Sequence, residues 1–385
     1  MVILQIILVL LVLGGLVFYI ACAVCTYLFF QTPAPTNTTF TPPVSLMIPV
    51  KGLDAGALEN WTSLCQQDYP DYEILFGVMD GNDPCVPTLK KLAETFPNRV
   101  RTVIGLTPLG FNHKDSILSH LLEIAQYEYI AFADSDIRVD KDYLRTIVAP
   151  LEKPQVGLVT CAFVGFNPQS LGAALASLGR CADFIPSALL ARVLDGKVRF
   201  AVGATLATRQ TSLEKAGGLQ FNRIGSDYNL GKRFVESGYE IVLSPYILDA
   251  DTGKESVKEV FFRELRWSRT IRFNRGAQYY GMVFCYGLVY CLPLLWVSAL
   301  APWAIALTTF TLLLRYLQVL IAITQLGCFG LLPWLWSLPL RDGLSFLIWL
   351  LGAFGDRVVW RGRLLQIEAD GLLTSSPPYQ ERDSY

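Results

Sequence analysis

The chain has 385 residues, 52% of them hydrophobic and 17% charged, with a formal net charge of −1. A pI near 6.2 offers no basic surface to a polyanion, so no nucleic-acid partner is expected. Two histidines, His113 and His120, are too few for a histidine-based metal cluster.

Residues 2–30 contain no charged side chain, enough for a helix to cross a ~30 Å hydrocarbon core. Ala21, Cys22 and Ala23 look like a signal-peptide cleavage site. No basic segment precedes them and the apolar run is long, so 1–30 is expected to be an uncleaved transmembrane anchor. Residues 31–43, rich in proline and threonine, read as a linker.

Between 44 and 255 the chain changes character. Apolar runs at 44–50, 72–79, 100–104 and 129–133 read as buried strands, and 55–67, 84–96 and 115–125 read as helices. This alternation predicts an α/β domain, a mostly parallel sheet with flanking helices. Ligands of such sheets bind beyond the carboxyl ends of the strands. Two of those ends carry acid: Asp80 follows 72–79, and Asp134-Ser135-Asp136 follows 129–133. Further on, 200–208 is strand-like with Gly203 inside it, Asp227 stands where a helix through Glu236 should begin, and 240–244 resumes as strand.

Residues 256–280 form a basic interfacial segment containing Arg263-Glu264-Leu265-Arg266-Trp267. On a helix, positions i, i+3 and i+4 share a face, so Arg263, Arg266 and Trp267 are expected to point together. Two guanidinium forks beside an indole suit a diphosphate held next to an amphipathic acceptor. Arg269, Arg272 and Arg275 continue the ladder and read as anchors for anionic lipid headgroups.

From 281 to 340 the only charged residue is Arg315, and 343–355 is again apolar. Pro293, Pro302 and Pro333 interrupt the pattern, which leaves two or three transmembrane or re-entrant segments within 281–356 and a tail over 357–385. Basic residues in 258–275 and at Arg357, Arg361 and Arg363 place the central domain and the tail on the cytoplasmic side of a multi-pass membrane protein. The CxxC pair Cys22 and Cys25 lies inside an apolar tract, where cysteines act as small hydrophobes. Sequons at Asn37 and Asn60 carry little meaning on a cytoplasmic face.

Asp134 and Asp136, two apart in a turn, can both reach one hard divalent cation, Mg²⁺ or Mn²⁺, on a nucleotide diphosphate; the plain alternative is a solvated turn. Asp80 can accept hydrogen bonds from a ribose or base, or merely close an Asx turn. Lys114, ahead of a predicted helix, can reach a phosphate or stay a surface lysine. Asp227 is either an N-cap or a general base.

The order of these elements narrows the choice. Asp80, Asp134-Ser135-Asp136, Asp227, Arg263-Glu264-Leu265-Arg266-Trp267 and then membrane resembles the D, DxD, D, (Q/R)xxRW pattern of membrane-bound inverting GT-A glycosyltransferases. Among these the chain is most similar to ceramide glucosyltransferases. Pro49-Val50-Lys51-Gly52, the stretches 67–73 and 132–139, and Ala216-Gly217-Gly218-Leu219 carry the likeness, as does arginine rather than glutamine at 263. It extends over nearly the whole chain. The resemblance implies a GT-A fold, a UDP-sugar donor, glucose first among the sugars, and a ceramide-like lipid acceptor. It assigns Asp80 and Asp134 to UDP, Asp134 and Asp136 to the metal, Asp227 to the base, and Arg263, Arg266 and Trp267 to the diphosphate and acceptor. One departure stands out: Ser226 precedes Asp227 where the family commonly has glutamate. Other readings are a hopanoid or diacylglycerol acceptor taking glucose or N-acetylglucosamine, and a processive polysaccharide synthase, which needs more spans. A non-enzymatic scaffold or transporter leaves the ordered carboxylates unexplained. The membrane is either a bacterial inner membrane or that of the eukaryotic Golgi or ER.

Overall fold

The computed structural model describes residues 1–32, 39–251, 253–360, 363–368 and 371–375; Asn37 and Arg361 lie outside them. Strands β1 (Val44–Val50), β2 (Tyr72–Val78), β3 (Val100–Ile104), β4 (Tyr129–Ala133), β5 (Ile137–Arg138), β6 (Val156–Phe166), β7 (Thr205–Arg209) and β8 (Glu240–Asp251) form one sheet. Its order is β3-β2-β1-β4-β7-β6-β8-β5. β1 to β4 are mutually parallel, as are β6 and β8, while β7 runs antiparallel between β4 and β6. Strands covered on both faces need continuous apolar runs, which is why β1 and β2 do not alternate. Strand order reverses at β1, so the ends of β1 and β4 frame a crevice at a switch point.

Helices cover both faces. Ala57–Cys65, Val86–Thr95 and Tyr143–Val148 pack into one core. The other core takes residues of His113–Leu122 and Ser226–Glu236, then continues into Val319, Ala322, Ile323 and Leu326 of the helix Pro302–Leu326. One face of the sheet is therefore joined to the apolar C-terminal helices through the stretch Leu171–Leu194.

Most predicted elements appear with trimmed ends, and two differences have clear causes. The helix expected at 115–125 begins at His113, because Asn112 caps it by accepting the Asp115 amide at 3.2 Å. The strand expected at 200–208 starts only at Thr205. Ahead of it, the Val202 amide donates to Thr160 Oγ1 and the Gly203 peptide is engaged by two site side chains, so neither is left for a ladder.

Among the described residues, three helices are long and apolar enough to cross a membrane: Val2–Phe30, Pro302–Leu326 and the continuous stretch Leu171–Leu194. A fourth candidate is the pair Gln278–Cys285 and Gly287–Val297, bent by 61°. Leu171–Leu194 lies inside the segment expected to be purely globular, and 72% of its window is buried within the protein. Val2–Phe30 packs closely where Gly15 meets Gly287; a methyl on Gly15 would strike the Gly287 backbone. Arg357–Trp360, Arg363–Ile367 and Leu373–Ser375 are β9, β10 and β11 of a small antiparallel sheet within the expected tail. That sheet packs on Ile224, and the Leu373 amide donates to Asn222 O at 2.8 Å, bracing the loop ahead of Asp227.

Candidate active site

A cavity of about 1280 Å³ opens at the ends of β1 and β4 and runs toward the apolar helices. Lys114, Asp134, Asp136, Asp227, Arg266 and Trp267 all line it. Residues far apart in sequence are joined by the backbone of one residue, Gly203. Asp227 Oδ2 accepts the Gly203 amide at 2.9 Å, while Lys114 Nζ donates to the Gly203 carbonyl at 2.7 Å and also pairs with Asp134. The other Asp227 oxygen accepts the Tyr228 amide at 2.9 Å, so the carboxylate is held at both oxygens. Gly203 has to be glycine here, because a side-chain carbon would run into Asp227.

Electrostatics follow from this packing. Burial lowers the Lys114 pKa, but the Asp134 carboxylate overrides it and holds the ammonium above the ordinary lysine value. Burial, and then the Asp134 charge, push Asp136 up to about 6. Asp115, buried beside Lys114, is pushed up to about 7, first by burial, with the Lys114 charge and a hydrogen bond from Ser226 opposing. Ser226 Oγ also accepts from Asn112 Nδ2 at 3.0 Å. Position 226, where the resemblance leads one to expect glutamate, thus places a hydroxyl against a carboxyl supplied by another helix.

Among the described residues no group of three or more histidine, cysteine or acidic side chains could enclose a metal ion. Two carboxylates in one turn nonetheless fit a Mg²⁺ or Mn²⁺ ion that completes its shell with phosphate oxygens and water.

Arg263 and Asp80 lie outside the cavity lining. Arg263 pairs with Glu255 and stacks over the Trp267 ring at 5.2 Å, outside the cavity lining, and burial pushes its pKa down to about 10. Asp80 is exposed, accepts the Asn82 amide at 2.9 Å and does not line the cavity. Its neighbour Asp83 is the buried acid, accepting the Gly52 amide at 3.0 Å and so fastening the loop after β1 to the loop after β2.

The arginine ladder is corrected at three positions. Arg272 donates to the Ala353 carbonyl at 2.6 Å and also to Gly355 O, while Arg269 reaches Phe354 O at 3.3 Å. Both hold the segment that follows the helix Leu338–Gly352, instead of pointing to lipid headgroups. Arg275 lines the cavity and lies 3.4 Å from Asp195.

The sequence reading passed over Glu264, inside the motif itself. It is buried and pairs with Arg341 at 2.8 Å. Arg341 also lies 3.4 Å from Asp183, which pairs with Arg315 at 2.6 Å; Arg315 holds Asp342 at 2.6 Å. A buried ion network thus ties the motif helix Val257–Arg275 to three apolar helical segments. The available signal was the rarity of charge there: Arg180 and Asp183 interrupt one apolar helix and Arg315 another.

The fold is that of a GT-A-type nucleotide-sugar glycosyltransferase. It superposes on the mannosyltransferase PcManGT from Pyrobaculum calidifontis, solved with GDP-Man and Mn2+, with a TM-score of 0.54 at 16% identity, covering 91% of this chain and 97% of that one. The pattern of glycosyl transferase family 21 matches residues 7–373, and the chain belongs to that family. Ceramide glucosyltransferase 3 of Caenorhabditis elegans is 23% identical over 242 residues, 59% of this chain and 50% of the relative. Ceramide glucosyltransferase 1 of the same organism is 22% identical over 239 residues, 61% and 50% of the two chains. The chain thus spans about half the length of these curated relatives.

Proposed function

We propose that the protein transfers a hexose, glucose in the first instance, from a UDP-sugar to the hydroxyl of a ceramide-like lipid at a membrane. The observation that carries this reading is the meeting of Asp227 and Lys114, itself paired with Asp134, at Gly203, in a cavity lined in part by apolar side chains. Phe18 of the N-terminal helix, Phe184, Leu194, Met282 and Tyr286 line that part, a surface suited to an acyl or sphingoid chain. Charged groups and hydrocarbon side chains in one cavity match an amphipathic acceptor better than a soluble one.

Asp227 removes the proton from the acceptor hydroxyl as that oxygen attacks the anomeric carbon, and the bond to UDP breaks on the opposite side with inversion. The backbone amides of Gly203 and Tyr228 fix the carboxylate in orientation while leaving lone pairs for the hydroxyl. Asp134 and Asp136 would hold Mg²⁺ or Mn²⁺, which neutralises charge on the departing diphosphate. Lys114 holds Asp134 in place and adds positive charge beside the phosphates. Arg266 contributes a guanidinium to the same charge, and Trp267, backed by Arg263, forms a rigid wall for the acceptor. Asp80, at the outer end of β2, takes the ribose or uracil at the rim. The C. elegans relatives favour ceramide among lipid acceptors.

The deciding experiment incubates the detergent-solubilised chain with a panel of UDP-sugars and ceramide, hopanoid and diacylglycerol acceptors, and reads products by mass spectrometry. A single hexose on ceramide is the expected product. A hopanoid or diacylglycerol product would move the acceptor, and a polymer would overturn single transfer.

A further inference from the structure

We propose that Arg180 is a diphosphate-binding residue of this cavity, an inference that rests on the UDP-sugar reading above. Arg180 is 8% exposed, yet its Nε and Nη1 have no hydrogen-bond partner among the described residues. It lines the cavity, where its guanidinium stacks over the Phe163 ring at 5.1 Å. A buried guanidinium normally has its donors satisfied, because each unmade bond leaves a desolvated N–H uncompensated. Arg315 and Arg341 obey that rule, with carboxylates at 2.6 and 2.8 Å.

The surrounding charges identify the missing partner. The carboxylates whose fields reach Arg180 are Glu264 and Asp136, with the Arg341 cation opposing. Glu264 is already held by Arg341, and Asp136 belongs to the metal turn of the proposed mechanism. Two guanidiniums packed near each other, beside a cation site, call for a further anion with several oxygens. A diphosphate supplies it, and the planar guanidinium fork suits bidentate contact with phosphate oxygens.

Local backbone construction aims the residue. Gly179–Phe184 is a π-helical turn between the helices Leu171–Leu178 and Ile185–Leu194, and such turns recur at functional sites. Gly179 leaves room for the Arg341 guanidinium, which a side-chain carbon there would strike. Arg341 can then hold Glu264 while Arg180, next in sequence, stays directed into the cavity.

The competing role is plain charge balance for Asp136 and Glu264, which would show in stability and not in nucleotide affinity. The test measures dissociation constants for UDP and for uridine by calorimetry on the full chain in detergent with Mn²⁺, together with thermal unfolding. Arg180→Ala is expected to weaken UDP by at least about tenfold and to leave uridine unchanged. Arg180→Lys keeps the charge but not the fork, so it should unfold like the wild type and still bind UDP a few-fold more weakly; it carries the test if the alanine variant does not fold. Wild-type UDP affinity in both variants, or equal losses for UDP and uridine, overturns the assignment while the UDP reading stands. Failure of the wild type to bind UDP overturns that reading, and this inference with it.

Discussion

The two walls of the cavity hold their charges in different ways. On the sheet wall, Lys114 and Asp134 are paired but partly open, with side chains 26% and 34% exposed, and Asp227 is held only by backbone amides. On the helical wall, Arg315 and Asp342 are 2% and 5% exposed and locked in an ion network that reaches Glu264. Groups that must exchange a protein partner for a ligand need solvent access and modest pairing. Groups that position a helix need burial, where losing one partner strands a charge. One wall is built to react and the other to stay fixed.

The largest break in that comparison should come from Asp227→Asn. Removing the proposed base should lower turnover about 10²–10⁴-fold with UDP affinity retained. An asparagine can accept only one of the two backbone amides now held, so a small loss of thermal stability should accompany it. Turnover near the wild-type rate would remove Asp227 from the mechanism.

Arg315→Ala tests the fixed wall. It leaves Asp342 without its cation and Asp183 with only the more distant Arg341, and should destabilise the protein by about 3–5 kcal/mol, read by thermal or denaturant unfolding in detergent. An unchanged unfolding curve would mean that the network is not what holds the helices together.

Two arginines six positions apart on one helix sharpen the contrast further. Arg266→Ala should cut turnover by about tenfold or more with little change in stability. Arg272→Ala, which strips hydrogen bonds from the end of Leu338–Gly352, should cost about 1–2 kcal/mol and leave UDP affinity alone. Equal kinetic losses from both would erase the distinction.

The smallest effect is a pH dependence at Asp115. Its folded pKa is raised to about 7, so the folded chain holds that proton more tightly than the unfolded one. Its stabilising contribution is therefore full below the ordinary carboxylate range and is lost as pH rises through about 7. Asp115→Asn should flatten the decline of the unfolding midpoint between about pH 4 and pH 7, the window between the ordinary and the folded carboxylate values. An identical decline in the variant would assign it to another group.

Much of this was legible in the sequence because it is local. Unbroken apolar runs specify strands buried on both faces, a turn after such a strand specifies where acids meet ligand, and a 29-residue uncharged helix specifies a membrane-length element. The same locality is silent on the partners of Arg263 and Arg269. Helical periodicity says which way a side chain leaves its own helix, but not what stands there, and only packing put Glu255 beside one and the end of Leu338–Gly352 beside the other.

The sequence by itself therefore determined the α/β core, the order of the acidic turns, the motif helix and the apolar tracts, since each follows from short-range pattern. Tertiary structure alone decided that Gly203 joins Asp227 to Lys114 and Asp134, that Leu171–Leu194 carries the sheet onto the apolar helices, and that Glu264 answers to Arg341. Those are contacts between residues dozens to more than a hundred positions apart. A buried charge acquires its meaning only from the partner that folding brings to it.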